Sequence, residues 1–212
     1  MTKPLNLPKD LIEAEQMMLD ALIAYLNSTS DKHNYLSLNL KFEALRIPPI
    51  LFRLLKNLEV LKYQALVLFP DPGASSLAKR DYPEHKDIIF TFKEYLGLSK
   101  DQINGKNIIA NSPQPYDFDE YEALCKMCDN DVIMMNGKLE DRAVGIGSVG
   151  RNKRINFINK WNTIYYLEPI SGGALMMAYP FKWNLYSNSP AGYIYKDSFD
   201  RKPDDETILT NL

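Results

Sequence analysis

The sequence predicts a single α/β domain over residues 1–212, with a mainly parallel central sheet flanked by helices and an antiparallel C-terminal extension. Strand-like and helix-like segments alternate through the middle of the chain, which favours a parallel sheet covered by helices. Segments near the C-terminal end are separated by short turns, which indicates antiparallel pairing. With 45% hydrophobic and 25% charged residues, a chain of this length can bury one sizeable core without disulfides.

The first third of the chain is predicted to form helix, strand and helix. Apolar residues recur every three or four positions over residues 10–26, which predicts a helix, and Pro8 and Asp10 are residues typical of a helix start. Residues 33–42 alternate polar and apolar side chains, which predicts a strand with one apolar face, as at a sheet edge. Residues 47–61 begin with prolines suited to a first helical turn and continue with an apolar face.

The middle of the chain contains the segment that we expect to be the central strand. Residues 63–71 are almost continuously apolar and end at Pro70, as in a strand covered on both faces. The segments predicted after it are a helix start in PGASSLAKRD (72–81), an amphipathic stretch (87–98), a strand leading into a loop (106–115), a helix with an acidic first turn (117–128) and a second buried strand (131–136).

The C-terminal end is rich in aromatic residues. The predicted elements are a helix (152–161), a strand (163–170), a turn (171–173), a strand or strand pair (174–187), a strand (191–199) and a short final helix after Pro203. The aromatic residues are Trp161, Tyr165, Tyr166, Tyr179, Phe181, Trp183, Tyr186, Tyr193 and Tyr195. Sheet packing accounts for many of them, but alternation leaves about half outward, and an exposed aromatic sheet face marks a partner site.

Charge and hydropathy exclude several classes of function. With 25 Lys and Arg against 27 Asp and Glu, the chain has no global positive field, and we expect no nucleic-acid partner. The longest apolar runs fall far short of the roughly 18 residues of a spanning helix, so we do not expect an integral membrane protein. The first residues carry acids early and lack an apolar core, which argues against a targeting peptide.

The segment after the central strand is the first candidate ligand site. Its Asp71 is expected at the carboxyl end of that strand, where open α/β sheets bind ligands, beside a helix N-terminus that can bind an anion. The candidate residues here are Asp71, Gly73, Ser75, Ser76, Lys79 and Arg80. The spacing differs from that of a P-loop. The alternative is that Asp71 or Ser75 only caps the helix.

The second candidate is GIGSVG at residues 145–150, a literal G-x-G-x-x-G followed by the basic residues Arg151 and Arg154. Glu168 stands near the acid position of a dinucleotide fingerprint. However, KLEDRAV separates these glycines from the preceding buried strand, whereas a true fingerprint follows its strand directly. A turn with solvated basic residues, a phosphate-binding loop and a nicotinamide site are the three alternatives.

The two cysteines, Cys125 and Cys128, form a lone CxxC near the end of a predicted helix. Structural zinc needs four ligands, and the histidines His33 and His85 are distant in sequence. A helix C-terminus also disfavours a thiolate, so we expect buried packing in a reducing compartment. The chain lacks GxSxG and HExxH motifs. We therefore predict no catalytic residues, no metal and no cofactor, and a non-enzymatic protein is favoured.

Several segments together resemble a domain-of-unknown-function family shared by cyanobacteria and chloroplasts. They are LPKDLIEAEQ, ALVLFPDPGASSLAKRD, MMNGKLEDRAVGIG, RNKRINFINKW and TIYYLEPISGGALMMAYPFKWNLY. Plant members include a low-photosystem-II-accumulation assembly factor and an extension of a plastid adenylate kinase. The chain departs from the family pattern at Tyr82, where a tryptophan is expected, and at Pro72, where a small residue is expected.

The resemblance implies a non-enzymatic accessory or assembly factor of photosynthetic (thylakoid) complexes, and it implies no catalytic residues. The expected location is the cyanobacterial cytoplasm or the chloroplast stroma. The expected partner is a protein, of the photosystem or thylakoid-biogenesis class. The alternative function is a phosphate- or nucleotide-binding enzyme with its site at the strand end near Asp71.

Overall fold

A computed structural model of the chain describes residues 4–29, 34–139 and 148–212, with residues 148–150 described by their backbone alone. The strands of this described part are β1 (Tyr35–Leu40), β2 (Ala65–Phe69), β3 (Ile89–Thr91), β4 (Asn107–Asn111), β5 (Val132–Met135), β6 (Trp161–Ile170), β7 (Gly173–Ala178), β8 (Trp183–Ser189) and β9 (Gly192–Phe199). Its α-helices are α1 (Leu11–Ser28), α2 (Ile47–Val60), α3 (Pro72–Asp81), α4 (Phe92–Leu96), α5 (Lys100–Ile103), α6 (Phe118–Met127), α7 (Ser148–Ile158) and α8 (Asp205–Asn211). Short 3₁₀ helices cover Pro83–Ile88 and Pro115–Asp117.

The chain divides into two compact units. The parallel unit comprises Asp31–Ser37 and Arg46–Asn162, and the antiparallel unit comprises Met1–Ser30, Leu38–Leu45 and Thr163–Leu212. Strand β1 therefore contributes its first three residues to the parallel unit and its last three to the antiparallel unit. That the whole chain is one domain stays a prediction.

The parallel unit has the strand order β3-β2-β4-β5-β1, and its β2–β3, β2–β4 and β4–β5 pairs are parallel. All five residues of β2 are buried, and β2 has a strand on either side, as predicted for a central strand. Because β3 and β4 lie on opposite sides of β2, right-handed connections place α3 and α4 on opposite faces of the sheet. Accordingly, Leu66 and Leu68 of β2 pack with α4 and α6 in one core cluster.

The antiparallel unit has the strand order β1-β6-β7-β8-β9, and successive strands from β6 to β9 pair antiparallel. Residues 174–187, predicted as a strand or strand pair, form β7 and the first part of β8. Tyr166, Leu175 and Trp183 form a small core, and α1 contacts β7 with its buried face. The predicted fold class, mainly parallel with an antiparallel C-terminal extension, is confirmed.

Strand β1 differs from the prediction of an edge strand. It has hydrogen-bonded neighbours on both sides, β5 in the parallel unit and β6 in the antiparallel unit. Its polar residues Ser37 and Asn39 are only 5% and 6% exposed, so both of its faces are covered. Alternation of polar and apolar residues indicates a solvent-exposed face only when the polar side chains have no partner inside the protein. Here Ser37 and Asn39 both have partners.

Residues 87–98 form two short elements, β3 and α4, where the sequence predicts one amphipathic segment. The boundary is a capping box. Thr91 Oγ1 accepts a hydrogen bond from the Glu94 backbone N–H at 3.0 Å, and Glu94 Oε2 accepts one from the Thr91 N–H at 2.7 Å. Helix α4 therefore begins immediately after Thr91, and the three residues before it are free to pair with β2.

None of the helices in the described residues is both long enough and apolar enough to cross a membrane.

Candidate functional site at the carboxyl edge of the parallel strands

Strands β2 and β4 end side by side at the carboxyl edge of the parallel unit. Leu68 pairs with Ala110, so Phe69 and Asn111 are the next neighbours along the two strands. The chain leaves β2 into α3 on one face and leaves β4 towards α6 on the other face. Connections that diverge in this way open a crevice, and this switch point is where open α/β sheets bind ligands.

Asp71 lies where the sequence predicts it, two residues after β2 and immediately before α3. It is the N-cap of α3, and its Oδ1 accepts a hydrogen bond from the Ala74 backbone N–H at 2.8 Å. A Cβ added to Gly73 would lie 3.1 Å from this same oxygen, so the glycine leaves room for the cap. Asp71 therefore caps α3, whereas both a ligand contact of Asp71 and the alternative that it serves only as a cap stay predictions.

The two predicted serines lie in the first half of α3. Ser75 is only 2% exposed, so it packs inside the parallel unit. Ser76 is exposed. The serines therefore differ in access, and of the predicted residues Gly73, Ser75 and Ser76, only Gly73 and Ser76 are exposed.

The predicted basic residues of α3, Lys79 and Arg80, lie in its last turn. A rise of 1.5 Å per residue places them about 12 Å along the helix from Asp71. The Lys79 ammonium lies 5.8 Å from the centroid of the Phe90 ring, and Arg80 pairs with Asp81 at 2.9 Å. The structure thus does not bring these cations to the N-terminus of α3.

Asp117 is the acidic residue of the crevice that the sequence analysis missed. It precedes α6, and its Oδ2 accepts a hydrogen bond from the Gln114 backbone N–H at 2.8 Å. Burial raises the pKa of the Asp117 carboxyl, and the negative charges of Glu120 and Asp71 raise it further, against the opposing effect of the Gln114 hydrogen bond. The edge therefore carries an acidic pair, Asp71 and Asp117.

Asn111 closes β4 and is 8% exposed, yet its Oδ1 has no hydrogen-bond partner among the described residues. The backbone beside it is unusual as well. Ser112 and Asn136, which follow β4 and β5, have left-handed φ values of 48° and 50°. Non-glycine residues held in this region are strained, and such strain clusters at ligand sites.

Of the basic residues after GIGSVG, Arg154 reaches the loop that follows β4. Its guanidinium lies 4.4 Å from the centroid of the Phe118 ring, and its Nη1 donates to the Pro115 carbonyl at 3.3 Å. Arg151 is exposed on α7. The structure therefore brings Arg154, but not Arg151, to the loop that carries Asp117.

The glycines of GIGSVG divide between two regions. Gly145 and Gly147 lie outside the described residues, whereas residues 148–150 form the first turn of α7. Glu168, the residue near the acid position of a fingerprint, lies in β6 and accepts a hydrogen bond from the Tyr166 hydroxyl. A phosphate-binding role of this segment stays a prediction.

The CxxC packs as predicted. Cys125 and Cys128 are both buried free thiols, and burial raises the pKa of each thiol, that of Cys125 well above its usual range. Both are therefore protonated near neutral pH, and a protonated thiol is a weak nucleophile. Among the described residues, no group of three or more His, Cys, Asp or Glu is placed to hold a metal ion.

A family model described as Domain of unknown function (DUF1995) matches residues 8–210. The chain belongs to this family. No curated protein matches the chain. The DUF1995 match confirms the predicted membership of a domain-of-unknown-function family, and it spans both units and the crevice described above.

The aromatic residues of this DUF1995 chain are distributed unevenly. Four are buried in the antiparallel unit, namely Tyr165, Tyr166, Trp183 and Tyr186. Of the C-terminal aromatic residues named in the sequence analysis, Phe181, Tyr193 and Tyr195 are exposed. This is fewer than the predicted half, because the middle of β6, most of β7 and the first five residues of β8 are buried. Tyr82, which replaces the tryptophan expected from the resemblance, stacks on Phe52 with ring centroids 3.8 Å apart.

Proposed function

We propose that this protein is a non-enzymatic accessory factor in the assembly of photosynthetic complexes, acting in a cyanobacterial cytoplasm or a chloroplast stroma. The partner is a photosystem or thylakoid-biogenesis protein that adds an extended segment to strand β9. The motif resemblance supports the cellular setting. The observation that carries the mode of binding is the exposure of β9 along its whole apolar stretch.

Strand β9 is the last strand of the antiparallel unit and pairs only with β8 among the described residues. Tyr193, Ile194 and Tyr195 are 51%, 53% and 39% exposed. An exposed edge strand is a template for pairing with another chain, so proteins usually protect such an edge with charged residues, prolines or bulges. Three consecutive large apolar side chains at the edge strand β9 therefore indicate a surface for a partner.

The hydrogen-bond pattern of the β8–β9 hairpin supports binding of an added strand. Ser189 pairs with Gly192 across a two-residue turn, and Asn188 pairs with Tyr193. The closing pair of such a turn is hydrogen-bonded, and hydrogen-bonded and non-hydrogen-bonded pairs alternate along an antiparallel ladder. The backbone groups of Tyr193 therefore point away from β8, as do those of Tyr195, the last residue of β9 before the register shifts. They can donate to and accept from a partner strand, as in recognition by β-augmentation.

The test is capture of the tagged full chain from photosynthetic cells, with wild type compared with Tyr193→Ser combined with Tyr195→Ser. We expect wild type to recover photosystem or thylakoid-biogenesis proteins and the double variant to lose them. Both side chains are exposed, but Tyr195 also contacts the Tyr186 ring and hydrogen-bonds Ser198 Oγ. The substitution should therefore lower the free energy of unfolding by about 1–2 kcal/mol, and thermal unfolding checks that the variant is folded.

The matched control is Leu209→Ser, which removes a 74% exposed apolar side chain from α8 and should leave capture unchanged. Equal capture by wild type and the β9 double variant contradicts this mode of binding. Normal photosystem levels in a deletion strain, together with recovery of no photosynthetic protein, contradict the function.

The alternative function is a phosphate- or nucleotide-binding enzyme. It is favoured by one observation, the exposed first turn of α3 at the switch point beside Asp71. A thermal-shift screen of nucleotides, dinucleotides and sugar phosphates tests it, because a ligand at 100 times its dissociation constant stabilises the fold by roughly 2.7 kcal/mol. No shift with any of them contradicts the alternative.

A further inference from the structure

We propose that Asp71, Asp117 and Asn111 form a binding site for a hard divalent cation of the Mg²⁺ type at the carboxyl edge of the parallel strands. This site lies in the parallel unit and is independent of the partner surface on β9. Its ligand is a cation, and this differs from the anion that the helix N-terminus alone predicts.

The first step is the position of the three residues. Asp71 follows β2, and Asn111 ends β4, the strand directly beside it in the register. Asp117 lies at the end of the loop that leaves β4. All three therefore lie at or just beyond the carboxyl ends of the neighbouring strands β2 and β4, on the side from which the chain leaves towards α3 and α6.

The second step is the orientation of Asn111. Ile108 and Ala110 pack into the cluster that contains α4 and α6, so by strand alternation Asn111 projects towards the opposite face, the face of α3. There its Oδ1 is buried and has no hydrogen-bond partner in the part of the chain that the structure describes. A buried oxygen acceptor left unpaired costs free energy, so this atom requires a donor or a cation.

The third step is the supply of oxygen atoms. The Asp71 cap uses Oδ1, and the hydrogen bond from Gln114 to Asp117 uses Oδ2. Within the described ranges, the second oxygen of each carboxylate accepts no hydrogen bond and can therefore contact a ligand. Two carboxylates and one amide oxygen form a small, hard donor set, and Mg²⁺ binds through one or two carboxylates while keeping several of its waters.

The fourth step is charge. The neighbouring negative charges that act on Asp117 are those of Glu120 and Asp71, whereas Lys79 lies at the far end of α3. Arg154 directs its Nη1 to a backbone carbonyl. A bound cation would relieve the repulsion between the two carboxylates, and an anion would increase it.

Terbium luminescence tests the proposal on the full chain. Tb³⁺ replaces hard oxygen-bound cations, and Tyr116, which is 84% exposed and adjacent to Asp117, can sensitise its emission. We expect saturable emission that Mg²⁺ displaces. Tyr116→Phe should lower the emission but leave the calorimetric affinity for Mg²⁺ unchanged, which locates the ion beside this residue.

Variants assign the ligands. Asp71→Asn and Asp117→Asn should each weaken cation binding by about ten-fold, and Asn111→Asp should strengthen it, because affinity follows the number of ligand charges. Asp101→Asn is the matched control, because Asp101 is an exposed first-turn acid on α5. Asn caps a helix about as well as Asp, and Asp71→Ser provides a second capping variant without the charge.

Several results would overturn the cation site. They are non-saturable emission, emission that Mg²⁺ leaves unchanged, and equal affinities in Asp71→Asn, Asp117→Asn and the Asp101→Asn control. Stabilisation by phosphate compounds without any effect of Mg²⁺ also overturns it and supports the anion alternative. Failure of this site leaves partner capture through β9 unaffected, so the two proposals are separately testable.

Discussion

Asp131 joins the starts of four strands in the parallel unit. Its Oδ1 accepts hydrogen bonds from the backbone N–H and the Nδ2 of Asn34 at 3.0 and 2.8 Å, and Asn34 immediately precedes β1. Its Oδ2 accepts from the Tyr63 hydroxyl at 3.3 Å, before β2. Its own N–H donates to Oδ1 of Asn107, the first residue of β4. Asp131 thus links the amino ends of neighbouring strands by hydrogen bonds, at the edge of the parallel strands opposite to the proposed cation site.

Replacement of Asp131 by alanine should lower the free energy of unfolding by about 2–3 kcal/mol, because partly buried donors on Asn34 and Tyr63 lose their acceptor. Urea denaturation measures this change. Asp129→Ala, which removes an exposed carboxylate two residues away, should have an effect below about 0.5 kcal/mol. Similar losses in the two variants would indicate a general charge effect instead of the hydrogen-bond hub.

Local signals account for the elements that the sequence predicts well. Asp10 and Asp71 cap α1 and α3 as N-cap residues, and the continuous apolar run of β2 gives a strand buried on both faces. Thr91 followed three residues later by Glu94 has the sequence pattern of a capping box, which marks a helix start. The division of residues 87–98 into β3 and α4 was therefore predictable in principle.

The candidate site was predictable only in part. Asp71 follows from the end of an apolar run and a helix start, both of which are local. Asp117 and Asn111 belong to the same crevice because β4 lies beside β2, and sheet order is a non-local property that no spacing in the sequence specifies. Lys79 follows Asp71 closely in sequence, but helical rise separates the two along α3.

The β7–β8 pair depends on the absence of a side chain at Gly173. A Cβ at this position would lie 1.9 Å from the Tyr186 carbonyl oxygen and 2.8 Å from Leu212 Cδ2. Gly173→Ala should therefore lower the free energy of unfolding by about 1–3 kcal/mol, because the backbone of β8 has to move. Thermal or urea unfolding measures the loss.

Gly97→Ala is the matched control for Gly173→Ala. Its new Cβ would lie 3.4 Å from the nearest atom, the Glu94 carbonyl oxygen, at a helix end with a φ of −93°. We expect its stability to change by less than about 1 kcal/mol. A Gly173→Ala variant as stable as Gly97→Ala would contradict the close approach of β7 and β8.

At the scale of the whole molecule, both units hold protonated groups that resist ionisation. Burial raises the pKa of Tyr35 in the parallel unit to about 12, and burial raises the pKa of Tyr186 in the antiparallel unit to about 12 as well. The pKa values of the Cys125 and Cys128 thiols are raised by burial too. The folded protein therefore keeps protons that the unfolded chain releases.

This difference predicts alkaline destabilisation. Since the folded-state pKa values exceed the unfolded ones, the contribution of these groups to stability is complete below about pH 8, where the unfolded thiols and phenols are still protonated, and is lost as the pH rises towards 12. Urea midpoints at pH 8 and pH 10.5 measure the fall. Tyr35→Phe should reduce the slope, and a slope that is unchanged in this variant would exclude Tyr35 as a contributor.

The antiparallel unit combines residues 1–30 with residues 163–212, and this has a consequence for synthesis on the ribosome. Helix α1 packs on β7, and β7 begins about 145 residues after α1 ends, which corresponds to roughly 7–30 s of translation at 5–20 residues per second. All strands and helices of the parallel unit leave the exit tunnel before then. During that interval the apolar face of α1, with Met18 and Leu22, has no β7 to cover it, and we expect holding chaperones to bind the nascent chain at this face.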